Sequence, residues 1–89
     1  MSESDYNNYY SSVKDATFDD DKMLLAKQMM ATNYLTSNQV KRLVKLFSFA
    51  KNQEDFARYA YPKTIDQKNY YVVGDAFTFE MSKNSLNEW

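Results

Sequence analysis

Three consecutive aspartates, Asp19, Asp20 and Asp21, are the densest ligand chemistry in the chain. Hard cations such as Ca²⁺ and Mg²⁺ favour carboxylate oxygens. Consecutive residues on a helix point in different directions, however, and neither the glycine nor the closing glutamate of an EF-hand loop follows. The same acids serve well at a helix start, where they cap free N–H groups and oppose the dipole. On that reading the run holds no metal and no cofactor. Lys41, Arg42 and Lys45, with Lys51, form a basic group suited to phosphate or an acidic partner. Late in a helix the first three equally complement the dipole. No RNA-binding aromatic motif accompanies them.

The usual catalytic kit is absent from the composition. The chain has no His and no Cys, so the commonest general base and the thiolate nucleophile are both missing. A single Gly leaves no phosphate-cradling loop. Asp, Glu, Ser and Lys are plentiful, so a carboxylate-based hydrolase stays compatible with composition, but no spacing favours one. The formal net charge of −1, with Lys and Arg at 11 against Asp and Glu at 12, offers nucleic acid no basic stripe.

The tyrosines are the remaining side chains with recognition chemistry, since their rings are apolar and their tips wet. Tyr9 and Tyr70 align with Val40 and are expected in the core. Tyr10 and Tyr71 align with Lys41 and are expected to be at least half exposed; Tyr6 aligns with Ser37 and Gln67 and is expected outside. Tyr6, Tyr10, Lys41, Arg42 and Tyr71 therefore form the candidate interaction surface. Tyr59, Tyr61 and Trp89 fit either environment.

The alignment behind these assignments comes from an internal repeat. Thr17-Phe18, Ser48-Phe49 and Thr78-Phe79 recur at spacings of 31 and 30 residues. Around them Asp5, Asn8, Tyr9, Tyr10 and Lys22 recur as Asp66, Asn69, Tyr70, Tyr71 and Lys83. The units cover about residues 5–35, 36–65 and 66–89 of one 89-residue domain. Repeats of this length are usually one supersecondary element, copied and stacked.

Each unit reads as two helices, A and B. Asp5, Thr36 and Asp66 are suited to cap the A helices, and Thr36-Ser-Asn-Gln39 has the capping-box form. Val40, Leu43, Val44 and Phe47 fall on one helical face, matched in the third unit by Tyr70, Val73 and Phe77. Asp21, Asn52 and Ser82 are suited to cap the B helices, and Pro62 closes the second of these. The Ser/Thr-Phe pair falls between A and B. Its hydroxyl is expected to bond the start of B, and its Phe to plug the gap between the helices.

Several of these stretches together resemble a known family. Phe18-Asp-Asp-Asp-Lys22, Leu35-Thr36-Ser37, Leu46-Phe47-Ser48-Phe49, Phe56-Ala57-Arg58-Tyr59-Ala60-Tyr61 and Asn69-Tyr70-Tyr71-Val72-Val73 resemble DUF4476, a domain of unknown function met mainly in Bacteroidetes. The resemblance spans about Asp5 to Trp89 and implies a small helical domain with no established activity. It also implies a bacterial exported or envelope protein, although the chain begins without a signal peptide.

These readings converge on an all-α fold: six short helices as three helical hairpins, stacked into one array. The expected function is a non-enzymatic interaction or scaffold module that binds protein or peptide. The alternative is a structural spacer, and third comes the hydrolase. Neither nucleic acid nor a membrane span is expected, and weak self-association remains open.

Overall fold

The first helix, α1, runs Glu3–Asp15, with the Ser2 hydroxyl accepting the Asp5 backbone N–H at 3.1 Å. The computed structural model describes residues 2–77. The expected start at Asp5 is corrected by this cap, because Asp5 lies inside the first turn. Ser2 and Thr36 are 34 residues apart, whereas the Phe18 to Phe49 spacing is 31. Counted from its true cap, α1 is thus rotated by three residues against the repeat alignment. Tyr6, Tyr10 and Val13 consequently form its inward stripe. Tyr6 and Val13 are fully buried, while Tyr9, expected in the core, is 39% exposed.

Helix α2 spans Asp19–Thr32, α3 Ser37–Val44 and α4 Ala50–Ala60. Thr36 caps α3 with both bonds of the capping box: its hydroxyl accepts from Gln39 N at 3.2 Å, and Gln39 Oε1 accepts from Thr36 N at 2.9 Å. The predicted stripe of Val40, Leu43, Val44 and Phe47 is buried throughout. Helices α2 and α4 begin three residues earlier than N-caps at Asp21 and Asn52 would place them, with Phe18 and Phe49 at the N-caps. Neither cap forms a side-chain bond.

After α4, Pro62 lies in a short 3-10 turn, Tyr61–Lys63, and a second 3-10 segment runs Gln67–Ala76. An α-helix was expected here. Tyr70, Val73 and Ala76 are buried at a spacing of three, the period of a 3-10 helix. Val72, Val73 and Gly74 all lower helix propensity in this stretch. Among the described residues the protein is therefore all-helical, with four α-helices and two 3-10 elements. The expected B helix from Ser82, and Phe79 with it, lies outside the described residues.

Helix α1 packs on α2, α3 on the long 3-10 segment, and α4 on both α2 and α3. The core between them takes Tyr6, Met29, Met30, Leu35, Leu43, Phe47, Phe56 and Tyr70. Phe47 and Phe56 meet at 5.5 Å between ring centroids, and Tyr61 meets Tyr70 edge-on at 4.9 Å. The expected phenylalanine plugs are overturned, because Phe18 and Phe49 are 68% and 67% exposed. The cores of neighbouring helices are filled by Phe47 and Phe56 instead.

This difference is measurable by thermal or urea denaturation. Phe56→Ala should cost roughly 3–5 kcal/mol, while Phe18→Ala and Phe49→Ala should each fall within about 0.5 kcal/mol of the parent. A large loss from either of the latter would contradict the observed exposure.

Candidate interaction surface

The residues expected to share a surface divide into two groups. Tyr6, Tyr10 and Arg42 come together, but as an internal clamp between α1 and α3. Tyr6 lies beneath the surface, correcting its expected exposure, and its hydroxyl donates to the Gln39 carbonyl at 2.7 Å. The Arg42 guanidinium stands 5.0 Å from the Tyr6 ring centroid and 4.9 Å from that of Tyr10. It also pairs with Glu3 at 3.5 Å. Such cation–π contacts contribute roughly 0.5–1 kcal/mol each at exposed sites. Lys41 is half-buried on α3. Tyr71, on the 3-10 segment packed against α3, is 69% exposed.

Sequence reasoning missed the more ordered surface, which is built on Asp19. This residue is buried, and its carboxylate reaches across to the start of α4. Ser48 N donates to its two oxygens at 2.9 and 3.0 Å, Phe49 N donates at 3.0 Å, and Asn52 Nδ2 donates at 2.9 Å. Nearby, Lys22 Nζ donates to the Leu46 carbonyl at 2.8 Å. Burial by itself would raise the Asp19 pKa. The bonds from Asn52, Ser48 and Phe49 and the Lys22 charge outweigh it, so the pKa falls below the usual carboxylate value.

The N–H groups at the start of α4, assigned in sequence to the Ser48 hydroxyl, are thus held by an acid from another helix. The backbone of both Ser/Thr-Phe turns is extended, with φ −113° and ψ 149° at Phe18 and φ −107° and ψ 137° at Phe49. Both rings face solvent.

Asp66 repeats the device at the start of α3. Its Oδ1 accepts from Ser37 N at 2.7 Å and from Ser37 Oγ at 3.0 Å. The Ser37 backbone bond leads in lowering its pKa, with burial opposing and Asn69 assisting. Asp66 was expected to cap its own helix, but it makes no such bond there. Burial raises the Tyr6 and Tyr70 hydroxyls above the ordinary tyrosine range, with Arg42 opposing the shift at Tyr6 and Tyr61 adding to it at Tyr70. The Tyr70 hydroxyl donates to the Ala57 carbonyl.

Chemically, these polar groups are committed to the fold. Asp19 spends both oxygens on N–H donors, so the aspartate run does not converge on a cation. Among the described residues no cluster of three or more His, Cys, Asp or Glu side chains is placed to hold a metal. No helix among them is long and apolar enough to cross a membrane.

An all-helical domain with its helix starts tied together by carboxylates is the class that fold and site define. The chain belongs to the DUF4476 family, a domain of unknown function, whose family model matches residues 1–89. No curated protein and no solved structure matches it.

The carboxylate ties have an acid signature. Asp19 and Asp66 bind fewer protons folded than unfolded, so their contribution is complete above the unfolded carboxylate range near pH ~4 and is lost as pH falls through their lowered folded values. Urea denaturation at successive pH values should find Asp19→Asn roughly 1.5–3 kcal/mol less stable near neutrality, with a shallower acid slope than the parent.

The tyrosines carry the opposite sign. Tyr6 and Tyr70 favour the protonated folded state, so their contribution is complete below the ordinary tyrosine pKa of about 10 and is lost as pH rises through the raised folded values. In an alkaline titration, a late fraction of the tyrosinate absorbance should appear together with loss of the helical circular dichroism. Full ionisation with the helix signal intact would contradict this.

Proposed function

We propose that this domain is a non-enzymatic protein-interaction module whose contact face centres on Phe18 and Phe49. One observation carries the reading: two phenylalanines at equivalent turns stand about two-thirds exposed, and a buried carboxylate holds the backbone of the second turn in place. Burying an aromatic or large aliphatic side chain is worth roughly 1.5–3 kcal/mol. The fold takes in Phe47 and Phe56 and leaves this gain unused at Phe18 and Phe49. A rigid apolar group at the surface loses little entropy when a partner covers it.

The exposed Tyr71 with half-buried Lys41 is the second candidate face, now without Tyr6. The stacking of three helical hairpins belongs to the same proposal. Its support is that the backbone and side-chain ties between linkers and helix starts join residues 28 to 30 positions apart, close to the spacing of the sequence repeat.

A random-peptide display selection against the full chain tests the module. Enriched peptides should lose at least tenfold in affinity toward Phe18→Ala/Phe49→Ala, a variant whose melting temperature matches the parent. Binding that survives the double substitution but fails with Tyr71→Ala would move the face to Lys41 and Tyr71. Binding indifferent to both would overturn the proposal.

A further inference from the structure

The two exposed phenylalanines occupy matching turns, but the charges beside them are opposite. Two residues after Phe18 stands Asp20; two residues after Phe49 stands Lys51; both are exposed. The asymmetry extends outward. Exposed Asp15 and Asp21 flank the Phe18 turn, with Lys14 and half-buried Lys22 as the opposing charges, while exposed Lys45 precedes the Phe49 turn. The face therefore carries an aromatic pair with an acidic end and a basic end.

From this we infer that the face pairs with a second copy of the chain around a two-fold axis, in antiparallel register. Phe18 of each copy packs on Phe49 of the other, and Asp20 of each meets Lys51 of the other. This inference rests on the reading of Phe18 and Phe49 as a contact face and names its partner.

The chemistry selects the register. A parallel pairing would set Asp20 against Asp20 and Lys51 against Lys51, and like charges in direct opposition are unfavourable. The antiparallel pairing makes both ends complementary at once, and a two-fold interface is self-complementary and closed. The tie from Asp19 to Ser48 and Phe49 holds the two turns side by side in each copy. Two rings and their rim bury well under the ~1,200 Å² of a standard stable interface. The dimer is consequently weak, populated at high concentration and loosened by salt. A net charge of only −1 sets little overall repulsion against it.

Sedimentation velocity across a wide concentration range, at low and high salt, reads the association directly. The full chain should shift reversibly toward dimer as concentration rises and salt falls. Phe18→Ala/Phe49→Ala should remain monomeric. Asp20→Lys and Lys51→Asp should each weaken the dimer about tenfold, as expected when attraction becomes repulsion at two symmetric pairs. Combined, the two substitutions should restore it, because the exchange preserves complementarity. Circular dichroism confirms that each variant is folded.

A dimer that the charge exchange fails to restore would overturn the antiparallel register. A chain monomeric at every concentration would overturn the second copy as partner. If that monomer still selects peptides through Phe18 and Phe49, the interaction module stands; if it does not, both readings fall.

Discussion

The Asp19 carboxylate under the Ser48-Phe49 turn is the constraint on which the arrangement depends. A helix start leaves backbone N–H groups without partners, and neither Phe18 nor Phe49 brings a side chain able to satisfy them. The Phe49 N–H at the N-cap of α4 is satisfied by a residue of α2, so this bond forms only when the two helices are side by side. Capping and packing thereby become one event. Asp66 does the same for α3 from the start of the long 3-10 segment. Between these two ties, the Ile65 N–H reaches the Leu35 carbonyl at 2.8 Å, joining the linkers directly.

Polar links at the helix starts leave the helix faces free for apolar packing. That economy matters in a chain of 89 residues, since small domains bury a limited fraction of their surface. The large rings admitted to the core are mostly those that also settle a polar account or meet another ring. Tyr6 donates to Gln39, Tyr70 donates to Ala57, and Phe47 lies against Phe56. Among the described residues every buried side-chain nitrogen and oxygen has a partner. Such full satisfaction is what specifies one arrangement when the apolar driving force is modest.

How far the sequence could be read follows from the range of each interaction. Helix α3 was legible because its determinants are local: a capping box across four residues and an apolar stripe at helical spacing. The burial of Tyr70 and Val73 followed from the same periodicity. Helix α1 was misaligned because the repeat was followed in preference to the cap. Ser2-Glu-Ser-Asp5 carries the local signature of a helix start, and starting from it aligns Tyr6, Tyr10 and Val13 with the buried Val40, Val44 and Phe47. The roles of Asp19 and Asp66 were not legible, since their partners lie 29 or more residues away. A run of aspartates before a helix looks the same whether it caps its own helix or another. The 3-10 form of Gln67–Ala76 was equally hidden, because Tyr70 and Val73 suit both helical periods.

The exposed phenylalanines separate the two functional readings better than the fold does. A spacer needs ends held at fixed separation, and the carboxylate ties provide stiffness for either role. It has no use for aromatic rings in water, which add to the apolar groups exposed at Leu24, Tyr34, Ile65 and Tyr71. The tie also holds the Phe49 backbone by its own N–H, and a buried carboxylate stripped of its donors is costly. The turn that presents Phe49 is held by the contact that joins α2 to α4, which supports the proposal of Phe18 and Phe49 as a contact face.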